Sequence, residues 1–593
     1  MSNSSTSRKP ISHAGLWLLA VAIGVVSGLG AALFRGLIGL VHNLFFLGKL
    51  SWAYDANVHT PPSPWGGWVV LAPVVGAAGV AFLVKNFALE AKGHGVPEVM
   101  DAIYYHKGNI RPVVALIKSL ASALSIGSGG SAGREGPIVQ IGSSFGSTVG
   151  QLLRLPAWQR ITMLAAGAGG GIAATFNTPI GGVLFAAELL LHEVSVWTLV
   201  PVVISTATAT YIGQLLLGAN PSFVIPAFET PYFHAASALV LLACVGLGFL
   251  TGAVSALFLR TIYWAEDFFD RAPGNYYTRH MAAMCIVGLF MEFTRRTAGH
   301  YYIVGIGYAT IQDVLGGALA SLPLLLGLFA LKIVTTSLTL GSGGSGGIFS
   351  PSLFIGSTLG GAYGALLARL LPTLAISPPA FAVAGMAGVV AGSTGAAITA
   401  IVMIFEMTLD YRAILPMTLT VAISYGVRNF LSRHSIYTLK LARRGHFLPE
   451  ALQANFHLVR LAKDVMDHHI VTIAANTPLR ALPAATPNLN PAHFFLVEDK
   501  GKVVGLAENN RTLHSLLNHC NSSLVGEVAS KDFEIVTEST TVFELISRTR
   551  SHAVKAFLIS SQPAPAEARD VRGVVSKERI TDAIADSIGL FNE

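Results

Sequence analysis

Long apolar runs follow one another from Leu16 to Leu431, separated by short polar loops, and then stop. A helix needs about 20 apolar residues to cross a bilayer. Runs of that kind begin near Leu16, Trp68, Ile161, Trp197, Ala236, His280, Leu322, Ala380 and Leu415. The stretches after Pro137 and Pro351 are also apolar, but so rich in glycine that they predict broken segments rather than plain spans. The pattern predicts roughly ten or more membrane helices, several short or tilted. After Ser432 the period changes. From Val459 the chain alternates apolar and polar positions, as half-buried strands do, in a doubled order of strand, helix, strand, strand, helix.

Composition sharpens this division. The 593 residues are 52% hydrophobic and 12% charged, against about 25% charged in soluble proteins. Arg428, Arg433, Lys440, Arg443 and Arg444 cluster after the last span. By the positive-inside rule they place the C-terminal tail in the cytoplasm, in a multi-pass protein of the cell (inner) membrane. The net charge of +7 is then topology rather than nucleic-acid binding. The run Leu16 to Leu47 is too long for a signal-peptide core and reads as retained. Cys244, Cys285 and Cys520 form neither a metal spacing nor a disulfide framework, and no metal site is expected. The spans carry no HExxH and no paired aspartates, which argues against an intramembrane enzyme.

The membrane region repeats itself. Residues 127–150 read GSGGSAGREGPIVQIGSSFGSTVG and residues 341–364 read GSGGSGGIFSPSLFIGSTLGGAYG. The match runs upstream, where Lys118 falls opposite Lys332, and downstream, where Glu188 falls opposite Glu406. Duplicated halves with discontinuous helices characterise transporters, whose sites lie where half-helix ends meet. Glycine lets main-chain N–H groups approach a ligand closely. A helix starting at Pro137 or Pro351 adds its positive end, so the two segments together suit a small anion. The bland reading, close helix packing by Gly and Ser, explains one such segment more easily than two matched ones.

Ionisable groups in a membrane cost on the order of 2.5–3.5 kcal/mol each at mid-span. Arg134 and Glu135 lie inside the first Gly-rich segment, and Lys118 on an otherwise apolar helix before it. A carboxylate beside anion-seeking N–H groups competes for the anion's own position. Protonated, it is neutral and can withdraw, so Glu135 reads as a proton-dependent gate.

GREGP at Gly133–Pro137, GGIFSP at Gly346–Pro351, GHGVPE at Gly93–Glu98 and SIYTLKLARRG at Ser435–Gly445 resemble signature segments of the CLC family of voltage-gated chloride channels and proton/chloride exchangers. The resemblance implies an all-α membrane domain of two inverted repeats with broken helices, assembled as a homodimer with a pore in each subunit. It implies that Glu135 is the gating glutamate, with main-chain N–H groups of Ile348 and Phe349 and the Tyr437 hydroxyl holding a central chloride. Gly133, Arg134 and Gly136 would contribute the outer site, and Lys118 positive potential. Two positions depart from the pattern. His94 stands where the family usually has serine; an imidazole can still donate a hydrogen bond, and its cationic form favours an anion at lower pH. Leu189 stands where exchangers often carry an internal proton-accepting glutamate, which weakens the coupled reading and leaves both channel and exchanger open. Glu188, His192 and Glu193 nearby are the candidates for a substitute relay, with structural or solvated roles as the bland alternatives.

The doubled tail resembles a pair of CBS domains, an α+β arrangement that in some proteins binds adenine nucleotides. The family's phosphate-side serine has a counterpart in Ser576, but the aspartate three residues on is Arg579 here and Arg511 in the first copy, after Glu508. Nucleotide is therefore not a required cofactor, and a dimerising scaffold competes with nucleotide sensing. The expected organisation is a tail at 1–14, a membrane domain at 15–432 with halves at about 15–217 and 236–432, a linker at 433–458, and CBS domains at 459–520 and 521–593. The expected cargo is chloride with protons; carriage of nitrate or bromide, or of a larger oxyanion, are the rivals.

Overall fold

A computed structural model describes residues 10–588 apart from 192–193, 221, 224–237, 373–375, 447–460, 482–492, 510–522, 552–553 and 563–566. Contacts divide the chain into two compact units, Met1–Leu448 and Pro449–Glu593.

The described residues of the first unit form helices and the loops between them. Its first half runs through α1 (His13–His42), α2 (Leu71–Phe87), α3 (Val96–Tyr104), α4 (Val113–Gly127), α5 (Glu135–Leu152), α6 (Ala157–Phe176), α7 (Pro179–Phe185) and α8 (Val196–Leu217). The second half repeats the series as α9 (Ala238–Arg271), α10 (Tyr276–Ala298), α11 (Tyr308–Leu315), α12 (Leu322–Gly341), α13 (Phe349–Leu370), α14 (Pro378–Thr394), α15 (Ala397–Thr408) and α16 (Ile414–Leu431). A short α17 (Ile436–Arg443) follows and belongs to this unit. Corresponding helices pack alike: α5 on α6 and α13 on α14, α1 on α8 and α9 on α16.

Seven described helical segments are long and apolar enough to cross a membrane, and shorter apolar helices accompany them. Each predicted run became a helix starting within a few residues of the expected point. The glycine-rich stretches differ from expectation. Residues after Pro137 and Pro351 are unbroken helices, and the breaks lie before them, in 128–134 and 342–348. The glycines within α5 and α13 serve contact instead. A methyl group on Gly142 would lie 2.1 Å from the Gly167 carbonyl oxygen of α6, and one on Gly356 2.3 Å from that of Gly385 in α14. Small residues therefore both open the loops and let the helix backbones touch.

The second unit holds two three-stranded sheets of identical plan. In the first, β1 (Ile470–Ala474) pairs parallel with β2 (Phe494–Asp499), which pairs antiparallel with β3 (Lys502–Glu508). In the second, β4 (Phe533–Thr537), β5 (Ala556–Ser560) and β6 (Val571–Ser576) repeat the order. The central strands β2 and β5 carry the buried runs, including Phe495, Val497, Phe557 and Ile559. This is the doubled α+β plan expected of the tail.

Candidate anion-binding site

The two Gly-rich breaks meet. Gly133 and Gly347 exchange both main-chain hydrogen bonds, at 2.7 and 2.6 Å. Gly93 joins the same junction, donating to the Gly344 carbonyl at 3.0 Å and accepting from the Gly346 N–H at 3.3 Å. Side chains lock it with a reciprocal pair of hydroxyl contacts, Ser122 to Ser345 at 2.9 Å and Ser131 to Thr336 at 3.0 Å. In the repeat, Ser122 corresponds to Thr336 and Ser131 to Ser345, so each contact is the image of the other.

Glu135 begins α5 and is buried, 3% exposed. Its carboxylate crosses to the head of α13 in the other half. There it accepts from the Ser350 N–H at 3.2 Å and from the Ser350 hydroxyl. The first N–H groups of a helix have no intrahelical partners and carry the positive end of its dipole. The carboxylate thus occupies a seat suited to an anion, beside buried Ile348 and Phe349. The Tyr308 hydroxyl lies 3.3 Å from that of Ser350.

Gly136 follows Glu135 at the closest approach in the site. A methyl group there would lie 1.9 Å from the His94 carbonyl oxygen and 3.1 Å from the Gly347 Cα. Gly95 has φ of +88°, a left-handed conformation that turns the chain from His94 into α3. The His94 imidazole is buried, and its Nδ1 finds no partner among the described residues. The ring stands edge-on to Tyr263, centroids 6.3 Å apart, and the Tyr263 hydroxyl donates to the Ile436 carbonyl at 2.5 Å. That bond ties the start of α17, and with it buried Tyr437, toward the His94 segment; α17 also packs on α3.

Arg134 is buried with its guanidinium over the rings of Phe176 at 5.6 Å and Tyr308 at 5.2 Å, donating to the Thr175 carbonyl at 3.4 Å. Lys118 donates to the Ala91 and Gly93 carbonyls at 3.0 and 2.8 Å, just ahead of His94. Its counterpart Lys332 does the same for Ile303 and Gly305 at 3.0 and 2.9 Å. Each lysine therefore fastens a loop.

Glu188 and Glu406 also act as a pair. Glu188 accepts from the Ile398 and Thr399 N–H groups at 3.3 and 2.9 Å and from the Thr399 hydroxyl at 2.7 Å, at the start of α15. Glu406 accepts from the Ile180 and Gly181 N–H groups at 3.0 and 2.7 Å, at the start of α7. Each carboxylate caps a helix of the opposite half. Capping side chains are worth about 0.5–2 kcal/mol. Glu406→Ala and Glu188→Ala are each expected to lower stability by about 2 kcal/mol, read as matched falls in melting temperature in detergent. A Glu188→Ala protein that melts normally but loses proton movement would reassign Glu188 to a relay. Leu189 is half-buried against the apolar core, within the π-helical turn Ala186–Leu190. His192 and Glu193 lie outside the described residues.

In the tail, the Ser576 hydroxyl accepts from the Arg579 N–H at 3.1 Å and caps the last helix, Lys577–Ile588. Arg511 lies outside the described residues.

The sequence reading named Glu135, Gly136, His94 and Phe349, which the fold brings together. It missed Ser350, Tyr308 and Tyr263. A signal for Ser350 existed, since in the repeat it stands opposite Gly136 and directly before the shared proline.

The family description "Voltage gated chloride channel" matches residues 76–429. An H(+)/Cl(-) exchange transporter ClcA of Vibrio parahaemolyticus is 34% identical over 391 residues, covering 64% of this chain and 80% of that protein. The protein of the same name from Yersinia pseudotuberculosis is 32% identical, covering 72% and 87%. Among solved structures, a slow cyanobacterial Cl-/H+ antiporter aligns at TM-score 0.64 with 25% identity, over 74% of this chain and 99% of that one. A eukaryotic CLC transporter aligns over 95% of this chain and 97% of its own at TM-score 0.58 and 21% identity, a likeness of fold.

Proposed function

This chain belongs to the voltage gated chloride channel (CLC) family, multi-pass membrane transporters rather than enzymes, and on that premise we propose that it exchanges chloride for protons. The observation that carries the proposal is the Glu135 carboxylate seated at the head of α13, held by the Ser350 N–H and hydroxyl. Chloride and this carboxylate compete for the same donors. Protonation removes the carboxylate's charge and releases the seat to chloride; deprotonation returns it. A cycle of that kind moves a proton on Glu135 against chloride in the seat.

The remaining roles extend this reading. Ile348 and Phe349 N–H groups and the Tyr437 hydroxyl hold the central anion, and the unpartnered His94 Nδ1 is a further donor when protonated. The main chain at Gly133, Arg134 and Gly136 contributes the outer position. Lys118 holds the His94 loop and adds positive potential. The protein works as a homodimer in the cell (inner) membrane, one pore per subunit, with its tail in the cytoplasm. Bromide and nitrate are the competing cargoes. The tail requires no nucleotide for transport.

Leu189 favours a second reading, a passive chloride pore, because an apolar side chain cannot hand protons inward from that position. Flux from reconstituted vesicles, with chloride and pH recorded together, separates the two. Exchange predicts uphill proton movement driven by a chloride gradient. Chloride movement with no accompanying protons would establish the pore.

A further inference from the structure

The C-terminal unit contains a cluster of side chains that anion passage does not use. We infer that Asp467, His469 and His493 form a binding site for a divalent first-row transition metal ion, such as zinc, at the point where the first repeat of the tail bonds to the second sheet.

Strand register builds the site. The parallel pairing of Ile470 with Phe494 sets the residues immediately before β1 and β2, His469 and His493, side by side. The His493 and Phe494 N–H groups both donate to the His469 carbonyl, at 2.9 and 3.2 Å. The two imidazoles lie 5.0 Å apart, tilted by 48°. Asp467 lies two residues before His469, where the main chain bonds to the other repeat. Its N–H and carbonyl exchange hydrogen bonds of 2.8 and 3.0 Å with Val574 of β6. The carboxylate is thus fastened to the second sheet and His493 to the first.

The donor atoms converge. Asp467 Oδ1 lies 3.0 Å from His469 Nδ1, and Oδ2 lies 2.5 Å from His493 Nδ1. One ligand atom from each residue falls within 4.8 Å of the others. Ligands at about 2.0–2.2 Å from a tetrahedral zinc ion sit roughly 3.3–3.6 Å from each other, so His493 must swing outward from its 2.5 Å contact with Asp467 to admit the ion. Two imidazoles with one carboxylate suit zinc, nickel or copper; calcium and magnesium take oxygen donors. Both imidazoles are more than half exposed, at 59% and 58%, so water has room to complete the coordination.

The bland alternative is a hydrogen-bonded triad that binds only protons. Metal titration distinguishes them. Full-length protein in detergent, stripped with chelator, is titrated with zinc against a chromophoric competitor. One zinc per chain is expected, with the melting temperature of the tail rising on loading. His469→Ala and His493→Ala should each weaken binding at least tenfold. Asp467→Asn, which keeps the shape and one accepting oxygen, should do the same; its apo melting temperature, recorded alongside, and the failure of zinc to raise it separate ligation from folding. No saturable zinc, or zinc bound equally well by Asp467→Asn and His493→Ala, would overturn the site.

Discussion

Glu135→Gln is expected to abolish proton movement while chloride flux continues. The glutamine amide has nearly the shape of the carboxylic acid but cannot ionise. It therefore cannot compete as a charge for the donors at the head of α13, and it cannot carry a proton away from them. The wild-type carboxylate holds this seat through the Ser350 N–H and hydroxyl, and hydrogen bonds to a charged acceptor are roughly twice as strong as neutral ones. Removing the charge removes that advantage and leaves the seat to chloride. In vesicles with a chloride gradient, proton movement in the variant should fall to the protein-free leak, and chloride flux should lose its dependence on pH. A variant that still drives protons uphill would place the coupling group elsewhere and sink the role of Glu135.

Gly136→Ala is expected to eliminate the folded protein. The added methyl would sit 1.9 Å from the His94 carbonyl oxygen, with the Gly347 Cα 3.1 Å away on another side. Both obstacles are backbone, so no rotamer change relieves them. Overpacking that a core can absorb costs about 1–3 kcal/mol. This collision lies where three loops are bonded together and should exceed that range. Gly327→Ala in α12 is the control, because nothing lies within 4 Å of the added atom. Size-exclusion profiles in detergent should show a normal peak for Gly327→Ala and aggregate or no protein for Gly136→Ala. A normal peak for both would mean that the loops are not locked as described.

Much of this architecture was readable before any coordinates. The apolar runs located the spans because a bilayer imposes a length on every crossing helix. The repeat located the site because the same Gly-rich break occurs twice. The glycine-rich stretches after Pro137 and Pro351 were misread as broken, since composition does not distinguish a glycine that opens a loop from one that admits a neighbouring helix. Gly142 and Gly356 are of the second kind. Ser350 and Tyr308 escaped notice because a hydroxyl has no charge to make it conspicuous in a membrane sequence. Their importance comes from Glu135 crossing between halves, and no local pattern encodes that distance. The match of Glu188 with Glu406 was legible in the repeat, but the helix start that each carboxylate reaches was not.

The crossed carboxylates have a consequence for the origin of the chain. Neither repeat is self-sufficient, because the helix entry that Glu188 completes is supplied by the other copy, as is the one completed by Glu406. A gene encoding a single repeat would have met both needs at once by two products associating about a twofold axis, each lending its acid to the other. Fusion would then have joined partners that already depended on one another. Fragments separated between 217 and 238 should accordingly accumulate only when produced together.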